Sequence, residues 1–314
     1  MRVLLTGAAG FIGSHLCDRL IERGLEVYAI DNLHLGKLQN LVQLTRHPAF
    51  RFENIDILNR DKLNAIFTRS RFDAVFHLAA NSDIAAGNLD VNLDLNLNYL
   101  ATVAVLEAMR NCSVKRFFFA STSAVFGEFE GAISENDGPL QPSSFYGASK
   151  LAAEAYISVY AHTFGITAVI LRFPNVVGER VTHGAVHDFV HALKADPKRL
   201  KVLGNGHQTK PYMYVADLVD ALMLAWERSA GPLSIYHAAG IGETSVREVA
   251  DIVVAKFGEV DTRIEYGQGD RGWPGDVPRF TYDTARLQAL GWKPRLHSTE
   301  AVRLAVDRIF SNGF

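Results

Sequence analysis

Through the first 175 residues, short apolar runs alternate with stretches whose apolar residues recur every three or four positions. Arg2–Thr6, Glu26–Asp31, Phe50–Asn54, Ala74–Leu78, Arg116–Ser121 and Thr167–Phe173 read as strands. Their nearly unbroken apolar character suits strands buried on both faces. Between them, Gly13–Arg23, Arg60–Arg69 and Lys150–Thr163 read as amphipathic helices. The alternation predicts an α/β, doubly wound parallel sheet of Rossmann type, whose ligands bind beyond the carboxyl ends of the strands. Leu89–Asn98 carries two patterns: it alternates like a half-buried strand, yet Leu89, Leu93, Leu97 and Leu100 also share a helical face. Asn and Asp are poor strand residues, so a helix is expected from about Asp90 to Asn111. After Phe173 the regularity fades; a helix at Asp217–Arg228, a strand at Ser234–Ala238 and a last helix near Thr299–Phe310 are expected.

The first strand runs into Thr6-Gly7-Ala8-Ala9-Gly10-Phe11-Ile12-Gly13. In a strand–turn–helix unit Gly7 permits the tight turn, Gly10 lets backbone approach a pyrophosphate, and Gly13 lets the helix pack closely on the sheet. The amides at the helix start then face the negative charge. The second strand ends in Asp31, near the spacing at which an acid accepts hydrogen bonds from an adenosine ribose and repels a 2′-phosphate. NAD rather than NADP is the expected cofactor. Residues 1–174 with 211–239 are read as the NAD-binding domain, and 175–210 with 240–314 as a smaller, mixed substrate lobe.

At 314 residues and 48% hydrophobic, the chain can bury a large core. A formal charge of −2 gives no sign of a nucleic-acid or membrane partner. Two distant cysteines, Cys17 and Cys112, suit a reducing compartment, and a first strand beginning at residue 2 suggests no leader; a cytoplasmic protein is expected. His183, His187 and His191 recur every four residues, but on a helix the outer two would lie roughly 12 Å apart, too far for one ion. No metal is expected, and His77 is read as a packing residue.

Tyr146-Gly147-Ala148-Ser149-Lys150 places a phenol and an ammonium one turn apart on a single helical face. A nearby ammonium favours phenolate and would lower the tyrosine pKa toward that of a useful base. The strand before it ends in Ser121-Thr122-Ser123. A hydroxyl at a strand's carboxyl end, a Tyr–Lys pair and a dinucleotide turn together point to a catalytic site rather than a surface pair.

These residues resemble the extended short-chain dehydrogenases/reductases of the NAD-dependent epimerase/dehydratase family, most of all the UDP-galactose (UDP-glucose) 4-epimerases. The resemblance runs through TGAAGFIG at 6–13, DN at 31–32, DI at 56–57, HLAA at 77–80, STSAVFG at 121–127, YGASK at 146–150 and RFPNVVG at 172–178. It continues through VLGNGHQTKPYMYVADLVDA at 202–221 and RGWPGDVPR at 271–279. It implies that Tyr146 is the acid/base, that Lys150 tunes it and holds the nicotinamide ribose, and that Thr122, with Ser123 beside it, binds the sugar 4-hydroxyl. Gly7, Gly10, Phe11, Ile12, Gly13, Asp31, Asn32, Asp56, Ile57, Ala79, Ala80 and Asn98 would bind or support NAD. Asn175, Lys210 and Arg271 would contact the diphosphate. His183–Val186 and Val202–Leu203 would enclose the uracil. The implied reaction oxidises the sugar at C4, turns the 4-keto sugar over and re-reduces it from the other face. A homodimer paired through the helices near Asp90 and Lys150 is implied as well.

Within that resemblance, dehydratases carry an Asp-Glu pair directly after the threonine, where this chain has Ser123-Ala124. Asn175 stands where relatives acting on UDP-glucuronate usually have Thr, and Phe280 where a bulky aromatic restricts N-acetylated sugars. The expected substrates are therefore UDP-glucose and UDP-galactose. Alternatives are a UDP-N-acetylhexosamine or UDP-glucuronate epimerase, an oxidoreductase that releases its reduced cofactor, or a non-catalytic NAD sensor. Three departures stand out: Phe126 for Tyr, Lys210 for a diphosphate Arg, and Trp273 for a second one, with Arg271 two residues earlier.

Overall fold

The computed structural model describes residues 1–129, 131–272, 277 and 280–312. Its centre is a seven-stranded parallel sheet of β1 (Arg2–Thr6), β2 (Glu26–Asp31), β3 (Phe50–Asn54), β4 (Ala74–His77), β5 (Arg116–Thr122), β6 (Thr167–Phe173) and β7 (Leu233–His237). The spatial order is β7-β6-β5-β4-β1-β2-β3, so the winding reverses between β1 and β4. A doubly wound sheet opens its ligand crevice at such a reversal. The expected strands are all present, with ends moved by at most a residue.

The continuous apolar runs follow from burial on both faces. Phe76 and Phe118 join Trp226 and α8 (Val215–Arg228) on one side, while Val75, Phe117 and Phe119 face Ile157 and Val105 on the other. Adjacent side chains in a strand point oppositely, so each layer takes alternate residues. The first of these clusters continues without a break to Val190, Val249 and Val302, so the C-terminal segments share one packed core with the sheet.

Helices α1 (Phe11–Glu22) and α2 (Arg60–Ser70) follow β1 and β3. The two-patterned Leu89–Asn98 stretch is helical: Asp90 caps α4 (Val91–Asp94) by accepting from the Asn92 amide at 3.0 Å. That helix widens into a π turn at Leu95–Leu100 and continues as α5 (Ala101–Asn111). A short α3 (Ile84–Leu89), which the pattern did not predict, precedes it. Ser144 caps α6 (Phe145–Phe164), which therefore begins five residues before Lys150. The C-terminal half adds α7 (Ala185–Ala195) and α9 (Val246–Phe257), neither anticipated, and α10 (Ser298–Asn312). Two-residue to four-residue strand pairs tie them together, among them Arg199–Val202 with Arg263–Tyr266. Among the described residues no helix is long and apolar enough to cross a membrane.

Candidate active site

A cavity of about 750 Å³ opens at the reversal of the sheet, bordered by the ends of β1, β2, β4, β5 and β6. At its floor the backbone turns sharply after Thr6. Gly7 has φ +72°, and a Cβ on it would stand 2.6 Å from the Ala79 nitrogen, so β1 and the loop after β4 meet there without side chains between them. A Cβ on Gly13 would lie 2.0 Å from the Gly7 carbonyl oxygen, which is how closely α1 packs on the turn. Gly10, the residue before α1, supplies no side-chain cap, so amides at that end are left for an anion.

Asp31 at the end of β2 is 8% exposed and lines the same cavity. Its carboxylate accepts from the Ala9 amide at 3.0 Å and the Leu33 amide at 2.8 Å, joining the acid to the glycine turn. Burial raises its pKa, and the Leu33, Ala9 and Gly10 amides pull it back. Phe11, Ile12, Asn32, Asp56, Ile57, Ala79 and Ala80 complete this half, with Asn32 donating to Asp56 at 3.3 Å. The set fits a dinucleotide: a turn that leaves no room for a Cβ at Gly7 or Gly13, an acid held at the second strand, and apolar walls between them.

The reacting half is built where β5 ends against the first turns of α6. Thr122, 8% exposed, accepts from the Ala124 amide at 3.1 Å and is hydrogen-bonded to the half-buried Tyr146. Lys150, 2% exposed, donates to the Ala120 carbonyl at 2.9 Å and lies 4.7 Å from the centre of the Phe119 ring. Burial lowers Lys150 to about 8, with Glu154 and Asp94 opposing the fall. Burial likewise pushes Tyr146 up to about 12; Thr122 pulls it down and the Asp94 charge adds to the rise. The expected lowering of the phenol by the ammonium is thus corrected. The Lys150 nitrogen is directed to a carbonyl of β5, and desolvation outweighs other influences on Tyr146.

Behind these groups Arg172 and Glu154 form a buried ion pair at 2.6 Å, and Ser121 donates to the same carboxylate at 2.5 Å. This cluster locks β5, β6 and α6 together, and sequence reasoning missed it. Its one legible signal was a glutamate four residues after Lys150, on the same helical face.

Ser123, Asn175, Val186, Lys210 and Phe280 also line the cavity, as do His183, Lys201, Leu203 and Gln208. Lys210, only 5% exposed, donates to the Val277 carbonyl, and its nitrogen lies 5.7 Å from the centre of the Phe280 ring. Three expected residues are not on the cavity wall. Val202 is 3% exposed and faces the core, because in Arg199–Val202 the pleat turns Lys201 to the cavity and its neighbour inward. Asn98 is 1% exposed and turns behind the wall to Asn81, Asp94 and Ser149. Arg271 pairs with Glu128 at 2.6 Å, leaving Gly272 as the lining residue. Trp273 lies outside the described residues.

His77 is buried between the Thr6 hydroxyl at 2.7 Å and the Thr102 hydroxyl at 3.0 Å, and burial lowers it to about 3. Among the described residues no three His, Cys, Asp or Glu side chains are placed to share a metal ion.

Residues 3–247 match the model of the NAD dependent epimerase/dehydratase family. The chain belongs to that family. A putative UDP-glucose 4-epimerase of Methanocaldococcus jannaschii is 33% identical over 99% of both chains. The crystal structure of Thermus thermophilus UDP-glucose 4-epimerase in complex with NAD superposes with a TM-score of 0.87, at 35% identity and complete coverage of both chains. Streptomyces venezuelae DesIV, a dTDP-glucose 4,6-dehydratase solved with NAD bound, reaches 0.90 at 26% identity, covering 99% of this chain and 98% of its own. The backbone of this NAD-dependent family therefore does not separate epimerase from dehydratase; the side chains at the reacting end must.

Proposed function

We propose that the protein is an NAD-dependent UDP-glucose/UDP-galactose 4-epimerase. One observation carries the reading: Thr122, Tyr146 and Lys150 open on the same cavity as the Gly7–Gly13 turn, and the next two lining residues are Ser123 and Ala124. Removing water across C5 and C6 needs an acid and a base at that point, and neither side chain is one. Full-length likeness to enzymes named UDP-glucose 4-epimerase supports the same choice.

In this reading Tyr146 takes the C4-hydroxyl proton and later returns it, while Thr122 holds the sugar oxygen within its reach. Bound NAD supplies the acceptor, and then the donor, of hydride at C4. Lys150, held by the Ala120 carbonyl, keeps a positive charge beneath the end of β5, where negative charge develops on the phenol. Asp31, Asn32, Asp56, Ile57, Ala79 and Ala80 form the adenosine side. Asn175 and Lys210 hold the diphosphate, with Val186 and Leu203 near the uracil. Anchoring at the diphosphate leaves the 4-keto sugar free to turn and present its other face. Residues 1–174 with 211–239 serve the cofactor, and the remaining segments serve the sugar nucleotide.

A cytoplasmic homodimer completes the proposal. Exposed Val91 and Leu95, before and within the π turn, and exposed Tyr156 and Val159 on α6 form an apolar face, with Tyr99 and Tyr156 in edge contact at 5.0 Å. Light scattering should give twice the chain mass. Incubation with UDP-galactose should yield UDP-glucose without free NADH. Release of NADH in proportion to substrate would instead make the protein a net oxidoreductase.

A further inference from the structure

The π turn after α4 carries a buried polar cluster that the reaction outlined above leaves unused. Asn81, Asp94 and Asn98 are each 1% exposed. One oxygen of Asp94 accepts from the Asn81 side-chain amide at 2.8 Å and the Asn98 side-chain amide at 2.9 Å. Asn98 gives its other amide hydrogen to the Ser149 hydroxyl at 3.0 Å, and its carbonyl oxygen accepts from the Asn81 backbone at 2.7 Å. Ser149 in turn donates to the Tyr146 carbonyl at 2.8 Å. The carboxylate therefore fixes which way Asn98 faces, and Asn98 ties the loop after β4 to the first turn of α6. Helix α3 makes room for it with a glycine: a Cβ on Gly87 would lie 2.0 Å from the second Asp94 oxygen. Burying a carboxylate is costly even when it is well bonded, and a purely structural site could be filled by apolar side chains.

We propose that Asp94 is a positioning residue for the reaction, orienting Tyr146 through Asn98 and Ser149 and biasing the Tyr146–Lys150 pair through its charge. This rests on Tyr146 being the acid/base. The groups facing Asp94 are Lys150 of α6 and Asp83 of the loop before α3; burial raises the carboxyl, Asn81, Asn98 and Lys150 lower it, and Asp83 adds to the rise. Tyr146 faces Thr122 of β5, Asp94 and Tyr282, while Lys150 faces Glu154, Asp94 and His77. Of these, Asp94 is the carboxylate that raises both members of the pair, so removing its charge should let the phenol ionise at lower pH.

The test uses the full-length, NAD-loaded protein carrying Asp94→Asn or Asp94→Ala. Tyr146 ionisation is followed as tyrosinate absorbance, taken as the difference from the same protein with Tyr146→Phe. Asp94→Asn, which can keep the hydrogen bonds, should move the Tyr146 titration to lower pH with NAD content unchanged. Asp94→Ala should lower kcat about 10- to 100-fold with KM within about twofold. An unmoved or higher titration in Asp94→Asn overturns the proposal, even if Asp94→Ala fails to fold. Equal losses of kcat in both variants without a titration shift also overturn it, since they mark a merely structural role. The titration needs no sugar, so a shift in a protein without epimerase activity would refute the substrate reading while leaving Asp94 in its role.

Discussion

Two methyl groups, added three residues apart, should have very different consequences for folding and the same consequence for NAD. At Gly13 the new Cβ would meet the Gly7 carbonyl oxygen at 2.0 Å, the Gly7 carbon at 2.9 Å and the Ala8 Cα at 3.1 Å. All three belong to backbone, so Gly13→Ala must push α1 off the turn. Overpacking of this kind destabilises by about 1–3 kcal/mol, and the turn loses its shape. At Gly10 the only near atom is the Gly7 oxygen at 3.2 Å, and the residue sits at φ −72°, ψ 176°, which alanine adopts freely. Gly10→Ala needs the Gly7 carbonyl to give by only a few tenths of an ångström and should fold nearly as well as the parent. Its methyl group would nevertheless occupy the approach of a pyrophosphate to the amides. Losing one or two charged hydrogen bonds, at about 1.5–3 kcal/mol each, lowers NAD affinity at least tenfold. The assay is NAD released per chain on denaturation, read beside the melting temperature. Gly10→Ala that melts normally and retains stoichiometric NAD would refute the idea that this turn cradles the phosphates.

Other outcomes rest on the same geometry. Tyr146→Phe should keep its NAD and lose about 10²- to 10⁴-fold in kcat, measured by conversion of UDP-galactose; a near-normal rate removes Tyr146 as the base. Phe280→Ala should raise kcat/KM for UDP-N-acetylglucosamine relative to UDP-glucose by about tenfold, and an unchanged ratio would leave Phe280 a packing residue. Phe118→Ala, which empties a fully buried site in the sheet, should cost about 3–5 kcal/mol in denaturant unfolding. Burial holds His77 at about 3 and His237 at about 4, below the free value of 6.5. The unfolded chain thus binds protons first, and the stability these residues provide is complete above pH 6.5 and lost as pH falls toward 3–4. Between pH 6.5 and 5 the loss is about 2 kcal/mol per histidine. Asp94 and Glu135, raised by burial, oppose that trend, so a protein equally stable at pH 5 and 7 would show that the carboxyls offset the histidines in full, and one more stable at pH 5 that they dominate.

Periodicity and backbone demands account for the features that were legible in the sequence. The sheet was readable because Phe117-Phe118-Phe119 and its neighbours are apolar on both faces, and the dinucleotide turn because Gly7 and Gly13 stand where no Cβ fits. The Tyr146–Lys150 spacing placed both side chains correctly on the wall of one cavity. Features that stayed hidden depend on the third dimension. Val202 was assigned to the wall although the period of two in Arg199–Val202, once recognised as a strand, assigns Lys201 instead. Arg271, expected at the diphosphate, pairs with Glu128, far away in sequence, while its neighbour Gly272 lines the cavity.

The electrostatics of the base were the least legible part. A helical spacing fixes that an ammonium and a phenol share a face, and it says nothing of what each touches. Here the ammonium finds the Ala120 carbonyl, burial raises the phenol, and Asp94, on a different helix, adds to that rise. A phenol held up to about 12 is a strong base once deprotonated, yet very little of it is deprotonated at neutral pH. Thr122 is the group that lowers Tyr146 against burial and the Asp94 charge, so a spacing that suggests an activated phenol does not by itself supply one.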